Sequence, residues 1–296
     1  MKKLAFIYNP KAGKKNMDTY LVDVLRAFGK NGYEVTLVET MKKGHLTEYI
    51  REEGARFDTV VVSGGDGTVN ESFNALMEIE EERRPSLGYI PMGTTNDFAS
   101  SNNISKDPYR AAQIASGDGE RKIDAGKFND RYFSYVAAFG AFTSVAYATP
   151  TEYKNIFGYA AYVAEGIKAL GTIKPYKMKI EADGEIIEDE FIFGMVANST
   201  SVGKVRLDRM DVDLSDGLFE VLLIKKVKAG ELNIIIGDLM NNKRKSDHYY
   251  IFKASKIEFL SEEDIAWTLD GEFGGETGKA LVQNIPGAIK IKIEED

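Results

Sequence analysis

The chain has 296 residues, enough for two domains of ordinary size or one large α/β domain, and its 43% hydrophobic and 28% charged content is that of a protein with a well-buried core. It contains no cysteine, which excludes disulfides, thiolate nucleophiles and cysteine-held metal centres, and only two histidines, His45 and His248, neither with neighbours that suggest a metal site or a triad. A formal net charge of -8 argues against extended nucleic-acid binding, because there is no global basic field to displace counterions from phosphates.

The N-terminal stretch MKKLAFIYNPKAGKK has five apolar residues between its first lysines and Asn9-Pro10. A secretory apolar region needs about 7–15, so the stretch reads as a first strand. No later apolar run approaches the roughly 18 residues of a membrane span, and a cytosolic location is expected. Strands are expected at 4–8, 34–39, 59–63 and 87–91, with helices near 17–30, 45–54, 68–80 and 108–116. That alternation gives a parallel sheet covered on both faces.

After about Asp124 strand follows strand: RYFSYVAAFGAF, KMKIEADGEIIEDEFIFGMVANS, GLFEVLLIKK, HYYIFKASKIEFL and DIAWTLDGEF. Asp183-Gly184 reads as a two-residue hairpin turn, and helices interrupt near 155–170 and 229–241. The shift predicts a second, mainly antiparallel domain beginning near 125, with the active cleft between the two. The apolar-aromatic stretch at 152–170 is expected in the core. The basic run NNKRKSDH (241–248), with Lys243, Arg244 and Lys245, reads as a solvated loop, with contact to an anionic membrane surface as the alternative.

Three polar loops carry the functional signal. In VVVSGGDGTVNE (60–71), a β-branched strand runs into Gly64, Gly65, Asp66 and Gly67, and Thr68 opens a helix whose Val69, Phe73 and Leu76 share one face. Glycines there let the backbone turn and approach a ligand, and the helix N-terminus offers unpaired N–H groups to phosphate. A bare strand-to-helix turn would not require Asp66, Asn70 and Glu71. The dinucleotide fingerprint fails because Asn70 stands where its third glycine belongs, and Walker A fails because Tyr8 stands where its first glycine belongs. YNPKAGKK (8–15) likewise follows a strand, with Gly13 for close approach and Lys11 and Lys14 to neutralise phosphate; PMGTTNDFA (91–99) adds Gly93, Thr94, Thr95, Asn96 and Asp97. Three such loops at one sheet edge suit a nucleoside triphosphate.

Together NPKAG, GGDGTVNE and PMGTTNDF, followed by KIDAGKFNDRYF (122–133) and LDGEFGG (269–275), resemble the diacylglycerol kinase catalytic-domain family, in particular its soluble bacterial lipid kinases. The resemblance covers almost the whole chain. It implies an NAD-kinase-like α/β domain over 1–125, joined by a returning C-terminal strand at 286–296, and a β-sandwich domain over 126–285 on the acceptor and metal side. It implies transfer of the ATP γ-phosphate to a lipid hydroxyl, with diacylglycerol as acceptor, Mg²⁺ as cofactor and transient contact with the inner face of a membrane. Asn9, Pro10, Lys11, Ala12, Gly13, Thr40, Gly65, Asp66, Gly67, Thr68, Val69, Asn70, Glu71 and Thr94 would contact the nucleotide, beside Gly64 and Lys14 of the same loops. Asp66, Asp97 and Asp124 would form a carboxylate network linked to Mg²⁺, and Asp270 would be the general base. In SDGLF, Asp213, Asp216 and Leu218 would bind a structural Mg²⁺, Asp213 and Leu218 through main-chain oxygens. The segment before it departs from the family, with Met210 and Val212 where proline and alanine are usual. A homodimer is compatible with the resemblance. GGDGT is shared with NAD kinases, so an NAD kinase is the second reading, and a nucleotide-binding regulator without turnover the third.

Overall fold

A computed structural model describes residues 1–10, 17–94, 96–140, 174–199, 213–228 and 245–295, together with 201–202, 205–206, 231, 234–235, 237–238 and 243. Lys11, Ala12, Gly13, Lys14, Thr95, Arg244, the 152–170 stretch, Met210 and Val212 lie outside the described residues. The expected helix near 229–241 is described only at scattered positions, of which 234–235 and 237–238 are helical.

The first part of the chain alternates strand and helix: β1 (Lys2–Tyr8), α1 (Leu21–Lys30), β2 (Tyr33–Glu39), α2 (His45–Glu53), β3 (Thr59–Gly64), α3 (Asp66–Met77), β4 (Ser86–Pro91), α4 (Asp97–Ser101) and α5 (Pro108–Ser116). Every residue of β3 and β4 is buried, as strands covered on both faces require. β1 pairs parallel with β2 and β3, and β3 parallel with β4, so all four end at the same edge. Val69, Phe73 and Leu76 of α3 are fully buried against this sheet. Arg84 closes the far end of α3: its Nε donates to Leu76 O and its Nη2 to Ile79 O, each at 2.9 Å, and its Nη1 to Ala288 O. A cation there suits the free carbonyls of a helix C-terminus.

The later strands are β5 (Glu120–Phe128), β6 (Arg131–Phe133), β7 (Val136–Gly140), β8 (Tyr176–Ala182), β9 (Glu185–Ala197), the short pair β10 (Ser201–Val202) and β11 (Val205–Arg206), β12 (Phe219–Lys225), β13 (Tyr249–Ala254), β14 (Lys256–Leu269) and β15 (Glu272–Lys292). Their mutual pairings are antiparallel. Asp183 and Gly184 both have positive φ between β8 and β9, as a two-residue hairpin turn demands. The core here is aromatic: Trp267 lies 4.9 Å from Phe128, 4.9 Å from Phe139 and 5.1 Å from Phe259, ring centre to ring centre.

The two parts share one sheet, ordered β13-β12-β9-β7-β14-β15-β4-β3-β1-β2. β15 makes the connection. Its first half pairs with β14, while Ile291 near its end lies parallel beside Leu87 of β4. The stretch 286–296, which the resemblance gives to the first domain as a returning strand, is largely the end of β15. Pro286 and Gly287 are absorbed as an irregularity in its pairing with β5, between Ile285 and Ile289.

Candidate active site

β1, β2, β3 and β4 end together, and the connections leave in opposite directions between β1 and β3, the position where open α/β sheets receive ligands. The glycine loop sits there. Gly65 precedes α3, and a Cβ on it would lie 3.3 Å from the Cα of Gly93 in the loop after β4. A Cβ on Gly93 would be only 2.6 Å from the Cα of Gly65, and one on Gly64 would be 2.1 Å from Thr68 Oγ1. Glycine is thus required for two loop backbones to touch, as well as for access to the helix N-terminus. Asn96, in the left-handed region at φ 55°, braces the second loop: its Oδ1 accepts from Gly93 N at 3.0 Å and its Nδ2 donates to Gly93 O at 2.9 Å. Thr40 follows β2 with its N–H on Tyr8 O at 2.9 Å, and Asn9, Pro10 and Thr94 lie on the same edge.

Two carboxylates stand at this edge. Asp66 opens α3, and its Oδ1 accepts the Phe98 N–H of α4 at 3.2 Å; buried Asp97 opens α4. Burial pushes the Asp66 carboxyl up, the Asp97 charge adds to this, and hydrogen bonds from the Phe98, Asp97 and Asn96 backbone pull it back. Glu71 is also pushed up, first by burial; Lys43 opposes the shift and Glu272 adds to it, so Glu272 of β15 comes near the same helix.

Asp270 reaches this helix from the other part of the molecule. Asp270 and Gly271, at φ 51° and 84°, form the turn between β14 and β15. Asp270 Oδ2 accepts from Asn70 Nδ2 of α3 at 2.7 Å, from Ser134 N at 2.7 Å and from Ser134 Oγ at 2.8 Å. Its Oδ1 accepts from the N–H groups of Tyr135 and Val136, both at 3.0 Å. Burial pushes this carboxyl up, and the donors, Ser134 N and Asn70 foremost, hold it down. The Tyr135 hydroxyl donates to Asp270 O at 3.1 Å. Burial and then the charges of Asp270, Asp66, Asp97 and Glu272 raise Tyr135 well above the usual phenol range.

Asp124 faces elsewhere. Fully buried, it accepts Gly217 N on Oδ2 and Gly287 N on Oδ1, each at 2.8 Å, and so joins the SDG loop to the irregularity of β15. In that loop Asp213 Oδ1 accepts from Ser215 N at 3.0 Å. Asp216 Oδ1 accepts from Leu218 N at 3.0 Å, while its Oδ2 is 2.9 Å from Lys253 Nζ. Lys253 also lies 3.2 Å from buried Glu220, so one ammonium serves two carboxylates. No group of three or more His, Asp or Glu side chains with metal-holding geometry occurs among the described residues.

Sequence reading did not single out Ser134, Tyr135 or Lys253. A serine inside the apolar run RYFSYVAAF was the available signal for the first. Lys243 of the basic run pairs with Asp238 at 3.0 Å, in a hollow of about 350 Å³ that also includes Lys245 and His248 and takes no part in this constellation.

The chain matches known families along both parts. Residues 3–128 match the diacylglycerol kinase catalytic domain, and residues 136–293 match the YegS C-terminal NAD kinase beta sandwich-like domain. A match to a kinase catalytic domain followed by a match to its β-sandwich partner marks the chain as a kinase. The chain belongs to the diacylglycerol kinase family. It is 34% identical to the diacylglycerol kinase of Bacillus subtilis (strain 168) over 278 residues, 93% of this chain and 91% of the other. It is also 34% identical to the diacylglycerol kinase of Staphylococcus aureus (strain bovine RF122 / ET3-1) over 276 residues, 93% of this chain and 87% of the other. A crystal structure of a diacylglycerol kinase from Bacillus anthracis str. Sterne superposes with a TM-score of 0.82 at 25% identity, covering 99% of this chain and 97% of that one.

Proposed function

We propose that the protein transfers the γ-phosphate of ATP to the free hydroxyl of diacylglycerol, giving phosphatidic acid and ADP. The observation that carries this reading is the hydrogen bond between Asn70 on the glycine-loop helix and Asp270 on the β14–β15 turn. It ties a helix N-terminus suited to phosphate to a buried carboxylate suited to accept a proton.

In this reading the loops around Asn9, Thr40, Gly65 and Thr94, with the N–H groups that open α3, cradle the triphosphate. Asp66 and Asp97 fit a Mg²⁺ held by one or two carboxylates and phosphate oxygens, and the ion would neutralise charge on the transferred group. Asp270 accepts the hydroxyl proton as the acceptor oxygen bonds to Pγ and the bond from Pγ to the bridging oxygen breaks, its electrons leaving with ADP. Asp270 has five donors, and a carboxylate has about four acceptor sites. The Ser134 hydroxyl is the donor that can rotate away, which gives the acceptor O–H a place at Oδ2.

Asp213, Asp216 and Leu218 suit a second Mg²⁺ less well as they stand. Lys253 already supplies the cation at Asp216, and a metal there would have to displace it. We divide the chain into a nucleotide part, 1–125 with 286–296, and an acceptor part, 126–285. The acceptor being a lipid, we assign transient contact with a membrane surface; no described helix is long and apolar enough to cross one.

Incubation with ATP, Mg²⁺ and vesicles containing diacylglycerol, against a parallel incubation with NAD, tests the reading. ATP consumption that depends on diacylglycerol is the expected result. Phosphorylated NAD would favour the second enzyme reading, and ATP bound but consumed with neither acceptor would favour a regulator.

A further inference from the structure

Asn70 lies in the motif that the resemblance gives to the nucleotide, yet its side chain is spent elsewhere. It is 8% exposed, and its Nδ2 donates to Asp270 Oδ2 at 2.7 Å. The orientation of this amide follows from chemistry, because an ionised carboxylate only accepts. One turn further along α3, Asn74 grips the chain leading to Ser134: Tyr132 N donates to Asn74 Oδ1, and Asn74 Nδ2 donates to Tyr132 O, both at 2.9 Å. Residues four apart share a helix face, so one stripe of α3 docks on β6 and on the β14–β15 turn. The N–H groups that would meet phosphate belong to the first turn of the same helix.

We propose that Asn70 is a positioning residue for Asp270: its amide fixes the carboxylate relative to the helix that receives the phosphates, and it does not contact the nucleotide. This rests on the reading of Asp270 as general base. The two functions then sit on one rigid rod, α3, and the distance from transferring phosphate to base is set by the helix. Among the five donors to Asp270, three are backbone N–H groups that cannot turn, and Ser134 Oγ is a free rotor. Asn70 is the remaining side-chain donor and the only one of the five that comes from α3. As the acceptor hydroxyl replaces the Ser134 hydroxyl at Oδ2, the Asn70 amide keeps that oxygen in register.

Removing the amide takes a hydrogen bond from an ionised partner, an effect corresponding to about 10- to 100-fold in rate. It also withdraws a donor that favours the charged form, while Tyr135, whose hydroxyl bonds the Asp270 carbonyl and which feels the charges of Asp270, Asp66, Asp97 and Glu272, stays in place. The experiment is Asn70→Ala in the full chain, with ATP affinity by calorimetry and turnover on diacylglycerol vesicles as a function of pH. The expected result is kcat lowered about 10- to 100-fold, the acidic limb of the pH profile moved to higher pH, and ATP affinity within about twofold of wild type. ATP affinity falling in step with turnover would put the amide on the nucleotide and overturn the proposal. So would unchanged turnover, or lowered turnover with the acidic limb unmoved. Asp270→Asn assayed alongside separates the two levels: full turnover in that variant would remove the base itself.

Discussion

Gly93 packs on Gly65 so closely that a Cβ on the first would stand 2.6 Å from the Cα of the second. The loops after β3 and β4 therefore meet through bare backbone, and the opening of α3 is held in place by that contact. A Cβ on Gly65 would itself stand 3.3 Å from the Cα of Gly93, so the larger side chain of Gly65→Val pushes the loops apart. Overpacking costs about 1–3 kcal/mol of stability, and a displacement near 1 Å costs about 10²-fold in function. Calorimetry should show ATP affinity lowered and the kinase assay turnover lowered by about 10²-fold, with thermal unfolding still cooperative. Retained affinity would mean that the glycines serve the turn alone.

Asp124 links Gly217 to Gly287, residues 93 and 163 positions further along the chain, through one buried carboxylate. In Asp124→Asn one backbone N–H faces an amide donor instead of an oxygen. A buried donor left unpaired costs about 1–3 kcal/mol, so the melting temperature should fall at any Mg²⁺ concentration. Recovery of the melting temperature as Mg²⁺ is added would place Asp124 in the metal network instead.

Much of the first part of the fold was legible. The strands at 4–8, 34–39, 59–63 and 87–91 are β-branched or apolar runs closed by turn residues, and Val69, Phe73 and Leu76 announced the buried face of α3. Local pattern carries such features. It does not carry partners far apart in sequence: the bond from Asn70 to Asp270 spans 200 residues, and nothing near Asp124 signals two glycines in later loops. α4 was missed because five residues are too few to show a helical period. That β15 continues through Pro286 and Gly287 is visible only in its register with β5.

Glu220 supplies a pH test of stability. Burial pushes its carboxyl up to about 7, Lys253 opposing the shift and Asp216 adding to it. The folded protein therefore holds this proton more tightly than the unfolded chain, whose carboxyl titrates near 4.5. The stabilisation is fully present below the unfolded value and is lost as pH rises through about 7. Glu220→Gln removes the proton and the loss together. Its melting temperature should gain on that of wild type between pH 5 and pH 7.5, and parallel curves across that range would contradict the assignment.

The measurement that bears most directly on the whole account is Asp270→Asn, with ATP binding and phosphoryl transfer to diacylglycerol measured on the same preparation. The account predicts ATP affinity close to wild type and turnover lower by about 10²-fold or more, the loss expected of a missing general base. Turnover equal to wild type would leave Asp270 as a turn residue, and the proton acceptor would have to be sought among Asp66, Asp97 and Glu272.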